Sequence, residues 1–520
     1  MNFWLLSPEL GLCGIALVVI LLDLVIEQKK LLAIVSVFGL IIPLAFTIAL
    51  WDTNESSFNG MLVVDNFAVF FKFLILGVAA LVILSSMEYV KKFSRFQGEY
   101  YALILLAAGG LMLMASTGEL ISIYISLELA SLSLYALVGF LKDRKSSEAG
   151  LKYLILGAIA SAVLLFGMAF IYGVTGTTHL DKIVQQVSEL VSGGAIWDAP
   201  ALLFGVVLLI AGFGFKIASV PFQMWVPDVY EGAPTPITAF LSVASKAAGF
   251  AVVLRVFYTA FGITEISADW ATVFAVLAAI SMTVGNITAL VQTNIKRMLG
   301  YSSIAHAGYI MVGLAAIGTL GKSGVLFFLA GYALANLGAF IAIIAISNKT
   351  GSDEIADYSG IARRSPAIAF VLAFCLVSLI GIPPAVGFMA KFYIFNAAVQ
   401  QDLLWLVIFA AINSAISAYY YLRVVKLMYV GEPASEEKIP SSLSVRFALA
   451  VTPSGFSRWA CTPGWCSASP KPLLRRCPEY RRSMWDIRLG AIRSYIVPPA
   501  AIPSPSSCPR PAGLLRPLST

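Results

Sequence analysis

Apolar stretches of roughly 18–25 residues recur from the N-terminus to about residue 430, and each is long enough to cross the ~30 Å hydrocarbon core of a bilayer as a helix. Thirteen of them cover approximately residues 8–26, 31–50, 67–87, 100–117, 119–141, 151–175, 200–224, 236–259, 270–292, 300–319, 322–347, 367–395 and 402–430, and a fourteenth begins near Leu443. The runs are continuous and rich in Leu, Ala, Ile, Val and Gly, whereas strands of a membrane barrel are short and alternate in polarity. The sequence therefore predicts an all-α polytopic membrane protein of about 14 transmembrane helices. Composition agrees, with 59% hydrophobic and 12% charged residues, where a soluble domain carries about a quarter charged.

The first stretch has no basic leader and no small-residue cleavage site, and it ends on Asp23, so it reads as a retained span rather than a signal peptide. Six scattered cysteines form no Cys-x-x-Cys motif, and the two histidines, His179 and His306, are far apart, which argues against a metal or iron–sulfur site in this chain. Basic residues fall on alternate loops: Lys29 and Lys30, then Lys91, Lys92 and Arg95, then Lys142, Arg144 and Lys145, then Lys296 and Arg297, then Arg363 and Arg364. The positive-inside rule puts those loops in the cytoplasm and the N-terminus on the outer face.

From Arg446 onward the composition changes. The last 75 residues hold 12 of the 24 prolines, 4 of the 6 cysteines and 11 of the 35 Lys and Arg, against two acidic residues, so their charge is +9 and residues 1–445 carry −2 of the net +7. The basic pI of 9.0 comes from this tail and is no evidence for nucleic acid. Because Ser441–Val451 starts like a span and stops abruptly, the tail reads as a frameshifted or otherwise aberrant C-terminus, rather than as a disordered arm for lipid or a partner.

Four ionisable residues lie deep inside apolar spans, where each costs at least about 2.5–3.5 kcal/mol at a helix centre and marks a functional path by default. Glu128 stands about nine residues into its span among Ser122, Tyr124, Ser126, Ser131 and Ser133. Lys216 precedes Pro221 and Pro227, which remove backbone donors and break the helix within the membrane. Lys246 is about ten residues from either end of its span, roughly 15 Å, too far to snorkel comfortably. Lys391 follows a second interrupted segment, Gly381-Ile382-Pro383-Pro384. Two broken helices in corresponding positions point to a repeated or inverted architecture. Burial disfavours the charged form of a lysine or a glutamate, while proximity of the two favours charge on both, so altering a Glu–Lys pairing loads or releases a proton. His306, which titrates nearest neutrality, is a possible relay between Lys246 and Lys391.

The run Phe222-Gln223-Met224-Trp225-Val226-Pro227-Asp228-Val229-Tyr230-Glu231-Gly232-Ala233-Pro234-Thr235-Pro236, leading into Ser242-Val243-Ala244-Ser245-Lys246, resembles the antiporter-like membrane subunits of respiratory complex I. Within that family it looks like the subunit N type of bacterial NADH:quinone oxidoreductase, which has mitochondrial and plastid counterparts, over residues 1 to about 445. The resemblance implies three N-terminal helices in 1–99, two inverted five-helix repeats in 100–260 and 261–432, and a C-terminal region in 433–520 that here holds a truncated last helix and the basic tail. It also implies that Glu128, Lys216, Lys246 and Lys391 carry protons.

On this reading quinone reduction elsewhere alters the Glu128–Lys216 pairing, and a charge change passes through Lys246 to Lys391. NADH or another donor, flavin, iron–sulfur clusters and quinone belong to other subunits, since no dinucleotide-binding or phosphate-binding loop is present. The implied partners are lipid and other membrane subunits, homologous antiporter-like ones included, and the implied location is the bacterial inner membrane. A cation/proton antiporter without electron transfer, or a membrane scaffold that pumps nothing, are the alternatives.

Overall fold

The computed structural model describes residues 2–92, 96–191 and 199–433, together with Glu437, Arg446 and Leu449. Apart from Arg446 and Leu449, the span expected near Leu443 and the basic tail lie outside the described residues. The N-terminal helices are α1 (Ser7–Val25), α2 (Lys30–Gly39) and α3 (Ile41–Ala49), the last two forming one bent span, and α4 (Asn66–Tyr89). The bend falls where Pro43 deprives Gly39 of its helical donor. There follow α5 (Gln97–Ala115), α6 (Leu120–Val138), α7 (Arg144–Thr175), the short α8 (Leu180–Val191) and α9 (Pro200–Ile217). The chain then passes through α10 (Trp225–Gly232) and α11 (Thr235–Phe240) into α12 (Lys246–Thr259). The remainder is α13 (Thr264–Leu290), α14 (Ile295–Ala315), α15 (Thr319–Thr350), α16 (Ile361–Arg364), α17 (Pro366–Ile380), α18 (Val386–Val399) and α19 (Leu404–Val430).

Eleven spans among the described residues are long and apolar enough to cross a membrane. With α14 and the α17–α18 pair, every one of the thirteen apolar stretches is helical. Among the described residues, the only strands are a hairpin of β1 (Glu55–Ser57) and β2 (Leu62–Val64).

Both expected breaks are present. The first lies at Ala218, which takes a left-handed φ of 62° after α9. Pro221 stands in the gap, but Pro227 falls in the first turn of α10, where a missing N–H costs nothing, so it starts a helix rather than ending one. The second break lies at Gly381, with φ 89° after α17.

A local construction occurs twice, each residue of the second copy lying 175 positions after its counterpart. Thr175 and Thr350 end the two 32-residue helices α7 and α15, and each threonine hydroxyl donates back one turn, to the carbonyls of Ile171 (2.7 Å) and Ile346 (3.1 Å). Left-handed Gly176 and Gly351 follow. The chain then pairs antiparallel with the residue before the preceding short-loop helix, His179 with Glu119 and Glu354 with Asn294. Leu120 N–H bonds Thr178 O and Ile295 N–H bonds Asp353 O, both at 2.9 Å. Basic residues cluster after the end of α6 (Lys142, Arg144, Lys145) but at the start of its counterpart α14 (Lys296, Arg297).

Two charges near span ends, Lys72 and Arg255, tie helices together. Lys72 on α4 is fully buried and pairs with Glu9 on α1 at 2.8 Å. Arg255 on α12 grips Asp65 through both terminal nitrogens (3.0 and 2.8 Å), donates to Ala115 O at the end of α5, and so joins three helices. Asp65 also caps α4 by accepting from Ala68 N–H at 2.8 Å. Replacing Lys72 by Met alone leaves the Glu9 carboxylate buried without its partner and should cost about 3–5 kcal/mol, read as a lower thermal transition of the purified protein. The double change Lys72→Met with Glu9→Leu should recover most of that loss.

Candidate functional site

Glu128 on α6 accepts a hydrogen bond from Ser161 on α7. One turn further along α6, Ser131 accepts from Lys216 Nζ at 3.1 Å. Lys216 occupies the last turn of α9, at the negative end of that half-helix, where a cation is favoured. Ser131, Ser161 and Lys216 line a cavity of about 10 Å³, the size of about one water centre. Glu128 and Lys216 make no direct contact: each group is held by a serine, and both serines line the cavity beside Lys216. The break itself is closed by aromatic packing, with Trp225 stacked on Tyr153 at 4.6 Å and donating to the Phe215 carbonyl at 3.0 Å.

Lys246 begins α12 directly after a one-turn π-helix at Leu241–Ser245, within a helical stretch that is buried throughout. A wide turn of this kind commonly marks a functional position. Its Nζ donates to the carbonyl and the hydroxyl of Ser303 on α14, the latter at 2.7 Å, and lies 5.8 Å from the Tyr332 ring centre. Ser303 Oγ is also within 3.1 Å of Tyr230 OH, which comes from the diagnostic Val229-Tyr230-Glu231 run.

Lys391 reaches back from α18 to the last carbonyl of α17, Ile380 O, at 2.8 Å, and donates to Ser414 Oγ at 3.0 Å. Its ammonium lies over the Tyr309 ring, 4.3 Å from the centre. Although Lys216 precedes its break and Lys391 follows one, both ammonium groups thus attend the C-terminal end of a half-helix. His306 stands between Lys246 and Lys391, with Nε2 3.4 Å from Tyr421 OH and its ring among Tyr309, Phe328 and Tyr332. His306 and Lys391 line a second cavity of about 10 Å³, and His306 Nδ1 is buried without a hydrogen-bond partner.

Among the described residues, no carboxylate lies within ion-pairing distance of Lys216, Lys246 or Lys391. These three are at most 5% exposed. Among the described residues the two other buried lysines are paired with acids, Lys72 with Glu9 and Lys296 with Asp353 at 3.1 Å, and the partly buried Arg255 pairs with Asp65, whereas Arg364 and Arg423 donate to backbone carbonyls. The sequence brought out the four charged residues, His306 and the hydroxyls around Glu128, Ser131 among them, but missed Ser161, Ser303, Ser414 and the tyrosines around Lys246, His306 and Lys391. Their only signal was their place in the same spans, which bulk apolar composition concealed. Asp228 and Glu231 stabilise the region near the break by binding Arg297 at 2.8 and 3.2 Å, with Lys152 also on Asp228 at 2.9 Å.

Residues 117–417 match the family model described as NADH:quinone oxidoreductase/Mrp antiporter, TM. The chain is 51% identical over 456 residues to NADH-quinone oxidoreductase subunit N of Dehalococcoides mccartyi, covering 86% of this chain and 94% of the relative. It is 45% identical over 460 residues to subunit N of Heliobacterium modesticaldum, covering 87% and 95%. Among solved structures, a chain of respiratory complex I from Thermus thermophilus with bound aureothin superposes with a TM-score of 0.74 at 32% identity, covering 88% of this chain and 98% of that one.

Gly381 is required twice over at the second break, by its left-handed φ and because an added Cβ would lie 3.0 Å from Lys391 Cδ. Gly381→Ala should cost about 1–2 kcal/mol for the backbone alone and push Lys391 off Ser414. The expected outcome is normal complex content on a native gel with reduced donor-driven proton uptake in membrane vesicles.

Proposed function

The chain belongs to the NADH:quinone oxidoreductase/Mrp antiporter family of membrane subunits, and we propose that, as a proton-translocating subunit of an NADH:quinone oxidoreductase, it moves protons along Glu128, Lys216, Lys246, His306 and Lys391. The observation that carries this path is the contrast between its lysines and the other buried lysines, Lys72 and Lys296, which face carboxylates. A lysine facing a carboxylate is fixed in its charged form, whereas one facing hydroxyls and carbonyls keeps hydrogen-bonding partners whether or not it carries the extra proton. Lys216, Lys246 and Lys391 are all of the second kind.

Within the path, the one-water cavities beside Lys216 and between His306 and Lys391 supply the short gaps that a proton crosses. Residues 100–260 and 261–432 act as two inverted repeats, supported by the paired constructions 175 residues apart and by basic clusters at opposite ends of α6 and α14. The basic loops face the cytoplasm of a bacterial inner membrane and the N-terminus faces outward. Electron transfer from the donor through flavin and iron–sulfur clusters to quinone takes place in partner subunits, and this chain uses the energy released without a redox centre of its own.

Lys216→Ala and Lys391→Ala, each in the assembled complex, should lower donor-driven proton uptake by about 100-fold or to background, with quinone reduction falling alongside. Vesicle proton uptake, a quinone assay and a native gel check this together. Persistence of both activities in assembled complex would show the lysines to be structural.

A further inference from the structure

Asn286 on α13 is fully buried at the centre of a hydrogen-bond network that the proton path does not include. Its amide nitrogen donates to Tyr309 OH (3.4 Å) and to Asn413 Oδ1 (3.2 Å), and its amide oxygen accepts from Tyr420 OH (2.9 Å). Asn413 on α19 is held in turn by donating to Thr283 Oγ1 (3.3 Å) and to the Phe409 carbonyl (3.0 Å).

Each tyrosine leads to a different member of the path. Tyr309 lies beneath the Lys391 ammonium and accepts from Ser414 at 3.3 Å, the same hydroxyl that receives from Lys391. Tyr420 packs on Tyr421 with ring centres 4.4 Å apart, and Tyr421 OH contacts both His306 Nε2 and Ser302 Oγ. One side-chain amide therefore grips, on one side, the groups that hold Lys391 and, on the other, those that hold His306.

The chemistry of the amide decides what this link does. An asparagine neither gains nor loses a proton near neutral pH, so it does not relay protons, but its two donors and its acceptor hold fixed partners. We propose that Asn286 is a positioning residue that couples the hold on Lys391 to the hold on His306. When Lys391 changes its bond to Ser414, Tyr309 shifts against Asn286, and the displacement passes through Tyr420 and Tyr421 to the histidine ring. A hydrophobic residue at 286 would keep α13 packed on α19 but let the two ends move independently. This inference rests on the proton path proposed above.

The test compares Asn286→Leu, Tyr420→Phe and the double variant with Lys391→Ala, all in the complete complex in membrane vesicles. Asn286→Leu should assemble, lower coupled proton uptake roughly tenfold and displace its pH profile. Tyr420→Phe should displace the profile in the same direction, and the double variant should be no worse than Asn286→Leu. Wild-type rate and pH profile in Asn286→Leu, beside abolished uptake in Lys391→Ala, would overturn the coupling while leaving the path intact. Multiplying effects of Asn286→Leu and Tyr420→Phe would overturn it equally. Intact uptake in Lys391→Ala would instead refute the path itself. If Asn286→Leu does not accumulate, Tyr420→Phe carries the test alone: a displaced profile supports the coupling and an unchanged one refutes it.

Discussion

An ammonium group inside a bilayer persists only if something other than bulk water holds it, and the rest of this structure follows from what holds Lys216, Lys246 and Lys391. Their partners are Ser131, Ser303, Ser414 and the Ile380 carbonyl, all neutral. Carboxylates are available in the fold, and they are used elsewhere: Glu9 and Asp353 each neutralise a buried lysine, and Asp65 pairs with the partly buried Arg255. A buried ion pair is weak evidence for added stability, yet removing one member is costly, so such pairs stay charged and in place. The path lysines avoid that lock.

The helix breaks supply what neutral partners require. An intact helix consumes its own carbonyls, whereas an interrupted one leaves the last turn unpaired and presents a partial negative charge at mid-membrane depth. Lys391 exploits this directly by bonding the final carbonyl of α17, and Gly381 makes room for its stem. Lys216 gains the same field from inside the last turn of α9. Lys246 has no break beside it, and its setting is instead a π-turn and the doubly used Ser303.

Thirteen spans, both breaks and the burial of Lys216, Lys246, His306 and Lys391 within spans were legible in the sequence, because apolar length, proline and charge in apolar surroundings are strong local signals. The ties made by Lys72 and Arg255 were not legible, because distance from a span end says nothing about whether another helix covers that end, and here α1 and α4 do. Which group on α6 holds Lys216 was illegible for a similar reason: the sequence gives depth along each helix but not azimuth, and Ser131 turns toward the ammonium. The network around Asn286 was illegible, since its tyrosines, serines and amides come from α13, α14 and α19 and meet only in three dimensions.

The central claim is that the buried lysines must release their protons, not merely carry charge. Lys391→Arg tests it most directly, because arginine keeps the positive charge and hydrogen-bonding capacity but is not deprotonated in proteins. Proton uptake driven by quinone reduction should be lost in assembled Lys391→Arg complex, as in the alanine variant. Uptake near the wild-type level would contradict the account, since a fixed charge at this position would then suffice.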